Sequence, residues 1–113
     1  MKGVKNMIDL TKENCDAEVR NEKSVPVVVD FWGPQCVPCM ALKPLYHEME
    51  KDFEGKVKFT AVDCSANKRV AMGFRVMGLP TFLFWKDGVE VKRLTKEECT
   101  IEAIRAEVEN LIA

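Results

Sequence analysis

Two cysteines three residues apart, in Cys36-Val37-Pro38-Cys39, are the side chains of this sequence best suited to do chemistry. Positions three apart on a helix share a face, which brings two sulfurs within bonding range. An apolar run from Val25 to Trp32 precedes the pair and a helical pattern follows it, so the pair falls at a strand-to-helix junction. A helix N-terminus carries partial positive charge and unpaired N–H groups, and it stabilises a thiolate. The thiolate is the form that attacks disulfides. The spacing therefore points to a dithiol that is oxidised and reduced reversibly. Cys36, at the helix start and nearer solvent, is the expected nucleophile; Cys39, one turn deeper, is the expected resolving thiol. Half of a structural zinc site is the competing reading, but such sites usually pair two motifs, and the sequence holds no second CxxC or CxxH.

Asp30 interrupts the apolar run. Alternation along a strand puts it on the face shared by Val28 and Trp32, beneath the loop that carries the cysteines. Burial there raises a carboxyl pKa and fits Asp30 to accept a proton from Cys39. A structural aspartate bonded to loop N–H groups is the alternative. Trp32, Val37, Met40 and Met77 are candidates for an apolar docking patch around the thiol, since methionine adapts to several partners; Trp32 closing the core is the plainer reading. On residue type alone, Pro80 reads as a trans proline opening a strand. His47 has no evident partner and reads as a surface residue. Cys15 and Cys64 read as small buried hydrophobes. Cys99 either packs under Leu94 or faces solvent, where it would form intermolecular disulfides.

The elements that must hold these residues follow from periodicity and punctuation. Met7 to Leu10 predicts a short edge strand, and Thr11 or Asn14 caps a helix to about Glu22. Val25 to Trp32 predicts a central strand covered on both faces, with Pro26 near its start. A helix is expected from Cys36 to Asp52, with Leu42, Leu45, Met49 and Phe53 inward, kinked near Met40 by Pro44 and ended by Gly55. Val57 to Val62 predicts a strand, and Ser65 caps a helix through Phe74. Thr81 to Trp85 and Val89 to Leu94 predict a hairpin turned by Lys86-Asp87-Gly88. The last helix runs to about Ile112 with Ile101, Ile104, Val108 and Leu111 inward; Thr95-x-x-Glu98 and Thr100 compete as its cap. The fold class is α/β: a mainly parallel sheet with one antiparallel hairpin, helices on both faces. Chemistry in such sheets collects at the carboxyl ends of strands, where Cys36 lies.

Bulk composition narrows the function classes. At 113 residues, the chain is expected to be one domain, residues 1–113. With 47% apolar and 31% charged residues, it has the balance of an ordinary globule. The net charge is −1, and the basic residues are scattered, which argues against nucleic acid as a partner. No apolar run is long enough to span a membrane, and Met1 to Asn6 lacks the apolar core of a secretory signal. Five cysteines are an odd number with one close pair, which fits a reducing cytoplasm better than a secreted disulfide scaffold.

Taken together, the motifs resemble the thioredoxin family over essentially the whole chain. Val29-Asp30-Phe31-Trp32, Cys36-Val37-Pro38-Cys39 and Pro44 resemble its strand, active-site loop and kinked helix; Gly78-Leu79-Pro80-Thr81 resembles its cis-proline loop, and Lys86-Asp87-Gly88 its hairpin turn. The resemblance implies the thioredoxin fold and a protein-disulfide reductase with Cys36, Cys39 and Asp30 as catalytic residues. It implies a cis Leu79–Pro80 bond that sets the backbone of Leu79 against Cys36, where an extended substrate segment pairs with it. The substrate-binding set is Trp32, Val37, Pro38, Met77, Leu79 and Pro80. The implied partners are proteins with disulfides and an electron donor of the thioredoxin reductase type, and the protein is expected to act as a monomer. No cofactor or metal is expected, since no Gly-rich dinucleotide fingerprint is present. The departures are Gln35 for the usual Trp, Val37 for the usual Gly, Phe59 where a lysine is common, and no glycine in Arg93-Leu94-Thr95. They bear on partners and potential. A dedicated partner-binding or redox-sensing module is the alternative function, and a net thiol oxidant a third.

Overall fold

The computed structural model describes residues 7–113. Five strands form one sheet: β1 (Ile8–Asp9), β2 (Val27–Trp32), β3 (Lys58–Asp63), β4 (Thr81–Lys86) and β5 (Val89–Thr95). Their spatial order is β1-β3-β2-β4-β5. The first three are parallel, and β4 and β5 run antiparallel to their neighbours. β2 lies at the centre and reads as continuous Val and Phe because both its faces are covered. One face packs Val28, Phe59, Phe82 and Phe84 under helices α1 (Val37–Glu50) and α3 (Ile101–Leu111). The other packs Val27, Val29, Phe31 and Leu83 under α2 (Lys68–Gly73) and Val19.

Four local expectations change, each for a polar reason. The first helix shrinks to a π-helical turn, Asp16–Arg20. Asn14 does not cap it; its Oδ1 accepts from the Thr11 N–H at 2.7 Å and its Nδ2 donates to the Asp9 carbonyl at 3.1 Å, closing a turn instead. Ser65 likewise caps nothing: its N–H and Oγ both donate to Asp63 Oδ1, at 3.0 and 2.7 Å, and α2 begins later, after Asn67. On α1 the inward stripe is Cys39, Leu42, Tyr46 and Met49, while Leu45 is exposed. Tyr46 can be fully buried because its hydroxyl reaches the carbonyls of Thr60 at 2.8 Å and Val28 at 3.2 Å. At the last helix both candidate caps form. Thr95 N–H donates to Glu98 Oε1 at 2.9 Å around a 3-10 turn, Lys96–Glu98, and Thr100 Oγ1 accepts from Ala103 N–H at 3.1 Å to open α3.

The hairpin forms as expected, with Asp87 and Gly88 both at positive φ (55° and 76°), the signature of a tight two-residue turn. A Cβ on Gly88 would lie 2.7 Å from the Arg20 carbonyl, so this glycine is required twice over. α1 runs through Pro44 as one element. Gly55, also at positive φ, lies just beyond the 3-10 turn Lys51–Phe53 that extends α1. Among the described residues, no helix is long and apolar enough to cross a membrane.

Candidate active site

The cysteines sit where β2 ends and α1 begins. Cys36 is the N-cap residue of α1 and Cys39 lies in its first turn. The two are joined as a disulfide with Cα atoms 5.2 Å apart. Cys36 is partly exposed and Cys39 is buried. The Cys36 sulfur accepts a hydrogen bond from the Cys39 N–H at 3.2 Å, the role an N-cap oxygen usually plays. A thiolate at Cys36 would hold the same bond more strongly, because a charged acceptor strengthens it. Pro38, in the same first turn, gives up an N–H that has no partner within the helix anyway.

Asp30 is only 2% exposed, on the Val28 face of β2 below this turn. Burial pushes its pKa up from 3.8 to about 7, and the positive charge of Lys43 partly opposes the rise. The β2–β3 register sets Ala61 opposite Asp30, whereas Phe59 faces Val28. Phe59 is therefore not the strand neighbour of the carboxylate, and the cation acting on Asp30 comes from α1. Lys43 also lies 3.8 Å above the Trp32 ring. Trp32 is partly buried with one face covered by this ammonium, and its indole N–H is buried with no hydrogen-bond partner among the described residues. It offers a partner less apolar surface than expected.

Met77 is 98% exposed and Val37 79% exposed, and Pro38 and Met40 are also at the surface. The Leu79–Pro80 peptide is cis. Leu79 is half-buried and Pro80 is buried. The Pro80 carbonyl accepts the Lys96 N–H at 2.8 Å and faces the Cys99 sulfur at 3.6 Å. Lys96 itself takes a positive φ of 51°, a conformation glycine adopts at least cost, and its stem would meet a Cβ on Gly78 at 2.5 Å. Lys96 thus holds a backbone position better suited to glycine.

Two of the remaining thiols, Cys64 and Cys99, are held in the neutral form at neutral pH. Burial, helped by Asp63 and Asp30, pushes Cys64 up to about 11; burial, helped by Asp30 and Glu98, pushes Cys99 up to about 12. Cys99 is buried with Leu94 in the core, so the solvent-facing alternative with intermolecular disulfides does not arise. Cys15 is buried as expected and Cys64 only half-buried. His47 is exposed, as expected, with its pKa lowered by partial desolvation and by Lys43.

The residues missed in the sequence are Lys43 and Tyr46. Their only sequence signal is helical spacing from Cys39, and that does not say which turn of α1 lies over Trp32 or over the Thr60 carbonyl.

Comparison with known proteins agrees with this geometry. The family model described as Thioredoxin matches residues 6–110. A thioredoxin of Acetoanaerobium sticklandii is 40% identical over 94% of this chain and 100% of its own length. One from Peptoclostridium acidaminophilum is 36% identical over 88% of this chain and 90% of its own length. The crystal structure of a reduced Schistosoma mansoni thioredoxin pre-protein superposes with a TM-score of 0.84, covering 95% of this chain and 99% of that one at 23% identity, a likeness of fold.

Proposed function

This chain belongs to the thioredoxin family, and from that premise we propose how its residues carry out thiol–disulfide exchange. The protein is a thiol–disulfide oxidoreductase that reduces protein disulfides. In the reduced form, the Cys36 thiolate attacks one sulfur of a partner disulfide. A Cys36–partner disulfide forms and the other partner sulfur leaves as a thiolate. Cys39 then loses its proton to Asp30 and attacks the Cys36 sulfur; the partner leaves fully reduced and the Cys36–Cys39 bond closes. Two electrons pass to the partner. Regeneration of the dithiol falls to a separate reductase, of the thioredoxin reductase type.

The observation that carries this assignment is the Cys36 sulfur as N-cap of α1, accepting from the Cys39 N–H at 3.2 Å, with the Asp30 carboxyl only 2% exposed on the strand that leads to it. Val37, Pro38 and Met77 form the exposed apolar rim on which a partner docks, and the Leu79-Pro80 segment with Trp32 borders it. Three unpaired thiols, Cys15, Cys64 and Cys99, support a reducing compartment such as the cytoplasm. All the assigned residues lie within one chain, which supports action as a monomer. Reduction of a generic protein disulfide with a supplied reductase tests the scheme: Cys36→Ser should abolish turnover, and wild-type rates in that variant would overturn it.

A further inference from the structure

On the α2 side of the sheet, a cavity of about 210 Å³ opens between the π-helical turn Asp16–Arg20 and α2. None of its wall residues belongs to the cysteine site. Cys15 and Val70 line it and are buried, and Gly73 adds no side chain, so the walls are mostly apolar. The rim is cationic. Lys12 reaches it from the segment before the turn and Arg69 from α2; both are exposed. Among the described residues, neither side chain forms an ion pair. Arg20, the third cation, is fixed in place. Its Nη1 donates to Asp16 Oδ1 at 2.7 Å, its Nη2 donates to the Gly73 carbonyl at 3.1 Å, and its guanidinium lies 3.9 Å from the centre of the Phe74 ring. The Asp16 carboxylate, the one acidic group in the wall, is thus already engaged by Arg20. A guanidinium carries several N–H donors, and these two bonds leave some over.

We propose that this cavity binds a phosphate monoester with a small apolar body, at a site separate from the cysteines. Lys12 and Arg69 are cations with no counterion in the wall, so a dianion matches them best. A phosphate monoester carries close to two negative charges at neutral pH and presents several strong acceptor oxygens. An arginine fork together with a lysine point charge suits those oxygens. A carboxylate brings a single charge and leaves one cation unmatched. The apolar walls select what the phosphate is attached to. Free phosphate leaves Cys15 and Val70 facing water, whereas an ester buries its carbon body against them. Arg20 is held before any ligand arrives, so little side-chain freedom is lost at that wall on binding. A cavity of about 210 Å³ lies below the usual range for drug-sized ligands, roughly 300–1,000 Å³, which limits the body to a single ring or a short chain.

The test is a titration of the oxidised full chain, followed by backbone amide NMR at low ionic strength, where exposed charges are least screened. The probes are phenyl phosphate, inorganic phosphate and benzoate. Phenyl phosphate should bind saturably and shift the amides of the Asp16–Arg20 turn and of α2. It should bind about tenfold more tightly than inorganic phosphate, which lacks the apolar body, and than benzoate, which lacks the second charge. Lys12→Gln and Arg69→Gln should each weaken it about tenfold. Lys68→Gln, on α2 but outside the wall, should leave it unchanged. These side chains are exposed and lie outside the cysteine site, so each variant should reduce a protein disulfide at the wild-type rate, which shows that it folds. Inorganic phosphate or benzoate binding as tightly as phenyl phosphate would overturn the assignment of a phosphate monoester. Equal weakening by Lys68→Gln would mean a diffuse positive surface in place of a site. Titration without saturation, or shifts scattered outside these two segments, would likewise overturn the proposal.

Discussion

Burial and Lys43 act on the Asp30 carboxyl in opposite senses, and their opposition can be measured. In the proposed scheme Asp30 takes the proton of Cys39 only as a carboxylate, so the resolving step should slow as pH falls through the Asp30 pKa of about 7. Lys43 holds that value down. Lys43→Met keeps the aliphatic stem over Trp32 and removes the charge, so the pKa of Asp30 should rise and the fall in rate should move to higher pH. The check is the pH profile of mixed-disulfide resolution, followed with Asp30→Asn as a control that lacks the titration. An unchanged profile in Lys43→Met would remove Lys43 from the proton balance. Cys36, Cys39 and Asp30 were legible in the sequence because type, spacing and strand alternation are local. Lys43 was not, because its effect depends on how α1 is rotated over β2.

Among the elements, the β4–β5 hairpin connects the sheet to the turn that precedes β2. Asp87 and Gly88 supply the two positive φ values of the turn, and the Lys23 ammonium donates to the Asp87 carbonyl at 3.2 Å. Gly88→Ala adds a methyl 2.6 Å from Lys23 Nζ, which can move aside, and 2.7 Å from the Arg20 backbone carbonyl, which cannot, at a left-handed φ. It should lower stability by about 1–2 kcal/mol, read from the midpoint of denaturant unfolding. The hairpin was legible because Asp-Gly between two apolar runs is a signal contained in four residues. The helix starts were less so: Asn14 and Ser65 are good caps by type, yet each spends its side chain on a nearer turn. Leu45 and Tyr46 exchanged roles for a related reason. Hydropathy ranks leucine as the core residue, but the Thr60 carbonyl gives the tyrosine hydroxyl a buried partner and the rotation of α1 follows.

For the whole molecule, the raised Asp30 pKa is a statement about folding as well as catalysis. Well below pH 3.8 the carboxyl is protonated in both folded and unfolded chains, and its titration does not affect stability. Between its ordinary value of 3.8 and about 7, the unfolded chain has lost the proton that the folded chain keeps. Stability therefore falls as pH rises through that window, and the deficit persists above it. A rise from 3.8 to about 7 corresponds to roughly 4 kcal/mol. Two other groups bound the experiment. Glu22, held down to about 2 by its hydrogen bonds from Lys58 and Ser24, contributes stability that is lost only as pH falls below 4.5. His47, with a lowered pKa, acts in the opposite sense to Asp30 and gains stability as pH rises through 6.5. The wild type alone thus mixes the two, and the difference from Asp30→Asn isolates the carboxyl. The oxidised Asp30→Asn protein should match the wild type near pH 4 and exceed it by up to roughly 4 kcal/mol near pH 9, measured by denaturant unfolding at both. A wild-type-minus-variant difference that stays flat across that range would mean Asp30 titrates alike in folded and unfolded chains. Its burial would then have no bearing on either stability or proton transfer.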